Sequence, residues 1–104
     1  MRVRWSNPAL EDLHNIQSYL SKKNPTAAAD TGNRIWEVAQ LFEFSPRLGH
    51  QARWMNYREF FVSGTVYILL YDVHQQEIII HAVVDGRMDW KEGEPQPRPA
   101  TDLL

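Results

Sequence analysis

The stretch REFFVSGTVYILLYDVHQQEIIIHAVV, residues 58–84, decides the fold. Arg58–Val62, Val66–Val73 and Glu77–Val84 are rich in Val, Ile, Tyr and Phe, which suit a pleated, half-buried surface. Ser63-Gly64-Thr65 and His74-Gln75-Gln76 separate them, and connections this short join strands only as antiparallel neighbours. The three runs therefore form an antiparallel meander. Ile68-Leu69-Leu70 and Ile78-Ile79-Ile80 are apolar at both parities, which predicts strands covered on both faces. The residues upstream supply one cover. The second face is left either as a shallow apolar groove or as a seat for a partner chain.

Upstream, Arg2-Val3-Arg4-Trp5 alternates polar with apolar and reads as a short opening strand. Asn7 is a good N-cap with Pro8 at the first helical position, and Glu11 and Asp12 favour the positive end of the helix dipole. Leu10, Leu13, Ile16 and Leu20 then form one stripe, predicting a helix from Pro8 to Lys23. Asn24-Pro25 repeats the start signal at once, so a second helix folds back as an antiparallel hairpin. Its stripe runs through Ile35, Val38, Leu41 and Phe42 until Ser45-Pro46 ends it. Gly32, which lowers helix stability by about 1 kcal/mol relative to Ala, marks a crossing point between the helices. A loop from Pro46 to Asn56 leads into the meander.

A chain of 104 residues makes one domain, here residues 1–91, followed by an extended tail, 92–104, with Pro95, Pro97 and Pro99 at alternate positions. The formal charge is −2. Charges cancel within residues 1–44 and again within 45–91, so the excess lies in the tail, where Arg98 stands against Glu92, Glu94 and Asp102. A neutral body weighs against gripping nucleic acid by charge alone. Zero cysteines exclude disulfides, thiol catalysis and Cys-ligated zinc. His14, His50, His74 and His81 are scattered without metal-ligand spacing, and no Gly-rich loop is present to cradle phosphate. His81 reads as a half-buried, hydrogen-bonded strand residue on the face of Ile79 and Val83. No apolar run has signal-peptide or membrane-spanning length, so a cytoplasmic protein without metal or cofactor is expected.

The order strand, helical hairpin, Pro-x-Leu-Gly loop, three-stranded meander resembles the RelE/ParE toxin family of type II toxin–antitoxin pairs. Trp5-Ser6-Asn7-Pro8-Ala9-Leu10-Glu11-Asp12-Leu13 resembles the family's strand-to-helix opening. Phe44-Ser45-Pro46-Arg47-Leu48-Gly49 resembles the ParE-type signature after the second helix. Arg58-Glu59 leading into Val62–Tyr71 resembles the central hairpin, and Gly86-Arg87-Met88-Asp89-Trp90 the closing segment. The likeness covers residues 2–91. Two positions depart from it: Asp85 stands where a His is common, and Ala82 where a basic residue is.

The resemblance implies an α+β fold and a protein antitoxin as partner, with which the chain would form a hetero-oligomer. It also implies one of two activities. A ParE-like member poisons DNA gyrase by protein contact, with no catalytic residue and no direct nucleic-acid contact. Arg58, Arg87, Met88 and Trp90 are then the target-binding candidates, because Arg and Trp dominate interface hot spots. A RelE-like member cleaves mRNA on the ribosome, which would employ Arg53, Arg58 and Arg87 as cations, with Tyr57 nearby. Trp90 supplies no transferable proton at the end of the domain, and no Lys lies between Lys23 and Lys91. Gyrase inhibition is therefore the first reading and ribosome-dependent mRNA interferase the second. A non-toxic member that retains antitoxin binding is the third. The antitoxin-binding candidates are Leu13, Ile16, Tyr19, Leu20 and Trp36, of which Leu13, Ile16 and Leu20 have a competing reading as plain core.

Overall fold

Residues 1–52 and 57–87 are described by the computed structural model. β1 (Arg2–Trp5) leads into α1 (Asn7–Ser21) and α2 (Pro25–Leu41), followed by β2 (His50–Gln51), β3 (Arg58–Phe61), β4 (Tyr67–His74) and β5 (Glu77–Asp85). The strands form one sheet in the order β1-β5-β4-β3-β2. β3, β4 and β5 make the expected antiparallel meander, while β1 lies parallel to β5, with Arg2 opposite Glu77 and Trp5 opposite Ile80. The fold is α+β, with the helical hairpin on one face of a mixed sheet. β2 falls where the sequence predicts only loop. Two residues show no period; their pairing of His50 with Glu59 and Gln51 with Arg58 defines the strand.

Three details of the helices differ from the sequence expectation or refine it. The N-cap of α1 is Ser6 rather than Asn7: Ala9 N donates to Ser6 Oγ at 3.1 Å, which leaves Pro8 inside the first turn, where its missing N–H is no loss. Ser6 also donates from its backbone N to Ile80 O at 3.0 Å and from Oγ to His81 O at 3.3 Å, so the cap ties β1, α1 and β5 together. Asn24 caps α2 as expected, accepting from Ala27 N at 3.1 Å. That helix stops at Leu41, and the stripe continues through a tightened turn in which Phe42, Glu43 and Phe44 each donate to the carbonyl three residues back. Gly32 does mark the crossing: a Cβ there would overlap the Gln17 side chain of α1.

The hairpin packs Ala9, Ile35 and Ala39 against Trp5, Leu69, Tyr71, Ile78, Ile80 and Val83. Both parities of the central strands are buried, as their composition requires: Leu70, Ile79 and Ala82 face away from the helices and are as buried as Leu69 and Ile80. This burial exists within the single chain, so the expectation of an open groove or a partner-filled face does not hold. β5 carries one extra residue. Leu70 pairs with Ala82 but Tyr71 with Ile80, leaving His81 without a partner in the register. The bulge reverses the side-chain alternation, so Val83 joins the helix-side core with Ile80, while Ile79 and His81 lie on the other face.

Beyond the bulge β1 no longer covers β5, and α1 takes over: Val83 N donates to Asp12 Oδ2 at 3.0 Å. Asp12 thus does more than favour the helix dipole. Asp12→Ala should lower stability by about 1–3 kcal/mol, read as a shift in the urea midpoint, because a backbone N–H loses a charged acceptor. Asp12→Asn, which keeps an acceptor oxygen, should recover part of that loss. No helix among the described residues is long and apolar enough to cross a membrane.

Candidate functional site

The Pro46–Gly49 loop is latched to the sheet by one phenol. Tyr71, fully buried, donates from Oη to Pro46 O at 2.8 Å and accepts from Gly49 N at 2.8 Å. A Cβ on Gly49 would come within 2.8 Å of the Tyr71 ring and 2.8 Å of Glu59 O, so only glycine fits. Arg58 completes the latch by donating from Nη1 to Gly49 O at 2.6 Å. Burial pushes the Tyr71 phenol up, against the lowering effect of the Gly49 N–H and the Arg58 charge. Arg47 and Leu48, between the latched residues, point outward and are exposed.

Arg58 opens onto a cleft of about 430 Å³ lined by Arg47, Gln51, Arg58, Asp72 and Val73. Behind its wall His81 Nε2 lies 3.3 Å from Asp72 Oδ1. The half-buried, hydrogen-bonded His81 expected from the sequence is instead fully buried, and neither ring nitrogen has a hydrogen-bond partner. Alternation from Ile79 and Ile80 sets the imidazole on the sheet's second face, where Ile79, Leu70 and Ala82 are buried with it. The Tyr57 ring lies 4.6 Å from it, and that phenol is pushed up by burial and then by the Asp72 charge.

Arg87 lies elsewhere. Tyr71 is opposite Arg58 and Tyr67 is opposite Asp85, which places Arg58 about 13 Å along β4 from Asp85, and Arg87 follows two residues further on. Arg87 donates from Nε and Nη2 to the two oxygens of Asp85 at 3.1 and 2.8 Å. These hydrogen bonds hold the Asp85 carboxyl below its ordinary range. Arg87 borders a cleft of about 300 Å³ with Tyr19, Leu20, Lys23 and Tyr67. Lys23 Nζ donates to Tyr19 Oη at 2.8 Å, and that bond, with the lysine charge, lowers the Tyr19 phenol. Among the described residues no group of three or more His, Cys, Asp or Glu could hold a metal ion.

The family model described as ParE toxin of type II toxin-antitoxin system, parDE, matches residues 3–90. The chain belongs to the ParE toxin family. A curated relative in Sinorhizobium fredii strain NGR234, Y4kP, whose name marks it as a candidate toxin, is 29% identical over 89 residues, covering 86% of this chain and 92% of that protein. Among solved structures, a chain of the chromosomal ParDE TA system from P. aeruginosa superposes with a TM-score of 0.73 at 19% identity, over 82% of this chain and 95% of that one. The strand, hairpin and five-stranded sheet are thus the ParE fold.

On this ParE fold the candidate residues separate into distinct surfaces. Leu13, Ile16 and Leu20 pack against the core, whereas Tyr19 and Trp36 are 54% and 45% exposed. Trp36 stacks on the buried Trp5 ring at 5.3 Å. Arg58 and Arg87 occupy separate clefts, and Arg53, Met88 and Trp90 lie outside the described residues. Arg47, Gln51 and Asp72 beside Arg58, and Lys23 and Tyr67 beside Arg87, were not singled out from the sequence. The Tyr19–Lys23 spacing of four at the end of the first helical stripe was a usable signal for the second group. The first group is assembled from four separate segments and has no such signature.

Proposed function

We propose that this ParE-family chain acts in the cytoplasm as a toxin that inhibits DNA gyrase through protein–protein contact, and that a cognate antitoxin neutralises it in a hetero-oligomer. The observation that carries the reading is the family match across nearly the whole described fold. The arrangement of the arginines supports contact over catalysis. A RelE-type ribonuclease needs cations gathered about one phosphorane, whereas Arg58 is tied to the Gly49 carbonyl and Arg87 to Asp85, in different clefts. Arg58, Arg87, Met88 and Trp90 are the proposed target contacts. For the antitoxin we propose the surface around Leu13, Ile16, Tyr19, Leu20 and Trp36, with Tyr19 and Trp36 as its accessible anchors.

Purified chain is expected to stall supercoiling by gyrase and to leave translated mRNA intact. Normal supercoiling with cuts in ribosome-bound message would replace this reading with the interferase. Neither effect, with antitoxin binding retained, would leave a family member that has lost toxicity.

A further inference from the structure

We infer that the cleft of Arg47, Gln51, Arg58 and Asp72 is a receptor for an acidic side chain presented by a protein partner. The walls come from four elements: the loop after α2, β2, β3 and β4. Arg47 and Arg58 both line it, and among the described residues neither has a carboxylate within salt-bridge distance. Two other arginines do have one: Arg4 lies 3.4 Å from Glu77 and Arg87 2.8 Å from Asp85. Asp72 borders the same cleft without pairing with either arginine and faces His81 instead.

The cleft is pre-organised. One of the five N–H donors of Arg58 is committed to Gly49 O, which fixes the guanidinium plane and leaves its other donors for a ligand. The Tyr71 bonds to Pro46 and Gly49 bracket Arg47 and restrain the backbone that carries it. Little ordering therefore remains to oppose binding. Planar guanidinium groups match a planar carboxylate.

The cleft favours a single carboxylate over a nucleic-acid backbone. A phosphodiester chain needs a run of cations, and among the described residues two line the cleft, in a segment whose charges sum to zero and with the Asp72 carboxylate in the wall. Val73, 38% exposed beside them, offers an apolar contact to the methylenes of a Glu or Asp side chain. The biological meaning rests on the reading of the chain as a toxin held by an antitoxin: an acidic antitoxin residue seated here would cover Arg58 directly.

The test uses the full chain labelled with nitrogen-15, in the absence of gyrase and antitoxin, so its failure is separate from failure of the gyrase reading. The probe is a blocked Glu-Asp peptide, compared with its Gln-Asn counterpart, with inorganic phosphate and with a short single-stranded RNA. The acidic peptide is expected to give saturable shifts of the Arg47 and Arg58 Nε–H signals, and the neutral peptide none. Arg47→Ala, on an exposed residue whose side chain makes no bond among the described residues, should weaken the acidic peptide about tenfold. Asp72→Asn should strengthen it. Absent shifts at both arginines, or unchanged affinity in Arg47→Ala, would overturn the assignment. So would tighter binding of phosphate or RNA than of peptide. A chain ending at Lys91 that binds the peptide far more tightly would also overturn it, by making the chain's own acidic tail the occupant.

Discussion

Removing one oxygen atom, by Tyr71→Phe, is expected to lower stability by about 2–3 kcal/mol, a large part of the roughly 5–15 kcal/mol available to a domain of this size. The ring still fits, so the loss isolates the two bonds of the phenol. The buried Gly49 N–H loses its acceptor and the Pro46 carbonyl its donor. Urea denaturation at neutral pH measures the difference. The gap should narrow in alkali. Burial holds the Tyr71 phenol above its ordinary range near 10, so the unfolded chain gives up that proton first as pH rises. Stability is lost from about pH 10 upward in the wild type, and Tyr71→Phe carries none of this particular loss. Gly49→Ala attacks the same latch from the other side and should lower stability by about 1–3 kcal/mol by overpacking. The double variant should fall short of the sum, because each change already loosens the contact the other needs.

Phe42→Ala should be the most damaging single truncation, at about 3–5 kcal/mol. Phe42 has no exposed surface, its ring lies 3.9 Å from that of Tyr71 and nearly parallel to it, and Phe60 meets it edge-on at 6.0 Å. The cavity would open where hairpin, loop latch and sheet meet, so relaxation in one layer would disturb the others. Leu41→Ala is the matched control. Leu41 is adjacent in sequence but 51% exposed, and its loss should stay within about 1 kcal/mol. Thermal or urea unfolding of the two variants separates burial from helix-end effects. Equal losses would show that the turn after α2, rather than the Phe42 ring, carries the stability.

The contrast between those two neighbours shows what was legible in the sequence. Leu41 and Phe42 look alike as members of one stripe, but the buried face of α2 runs through Ile35 and Ala39 to Phe42, which sends Phe42 inward and leaves Leu41 to solvent. The meander was readable because composition and turn spacing agree in residues 58–84, and the hairpin because Asn24-Pro25 is an unambiguous start. β2 was not, since two residues carry no period, and the parallel seat of β1 depends on a partner more than seventy residues away. The N-cap was displaced by one residue because Ser6 and Asn7 are both competent caps, and the bond from Ser6 to β5 decides between them. The candidate site was legible in part. Arg58 and Arg87 were named from the sequence, but their separation follows from register, and the company each keeps follows from the bulge at His81 and the latch at Tyr71. No local pattern records either.

The place of β1 bears on how the protein is made. Its neighbour in the sheet is β5, with Trp5 opposite Ile80, so β1 has no seat until β5, the last of the described strands, has been synthesised. Closing this pair joins the two most distant parts of the described chain, and contacts of such long range are the slow ones to form. The Ser6 clasp on Ile80 and His81 waits for the same event. A chain halted anywhere before residue 80 therefore has helices but no completed sheet, and the cleft at Arg58 gains its Asp72 wall on a fixed support only once β5 has been made.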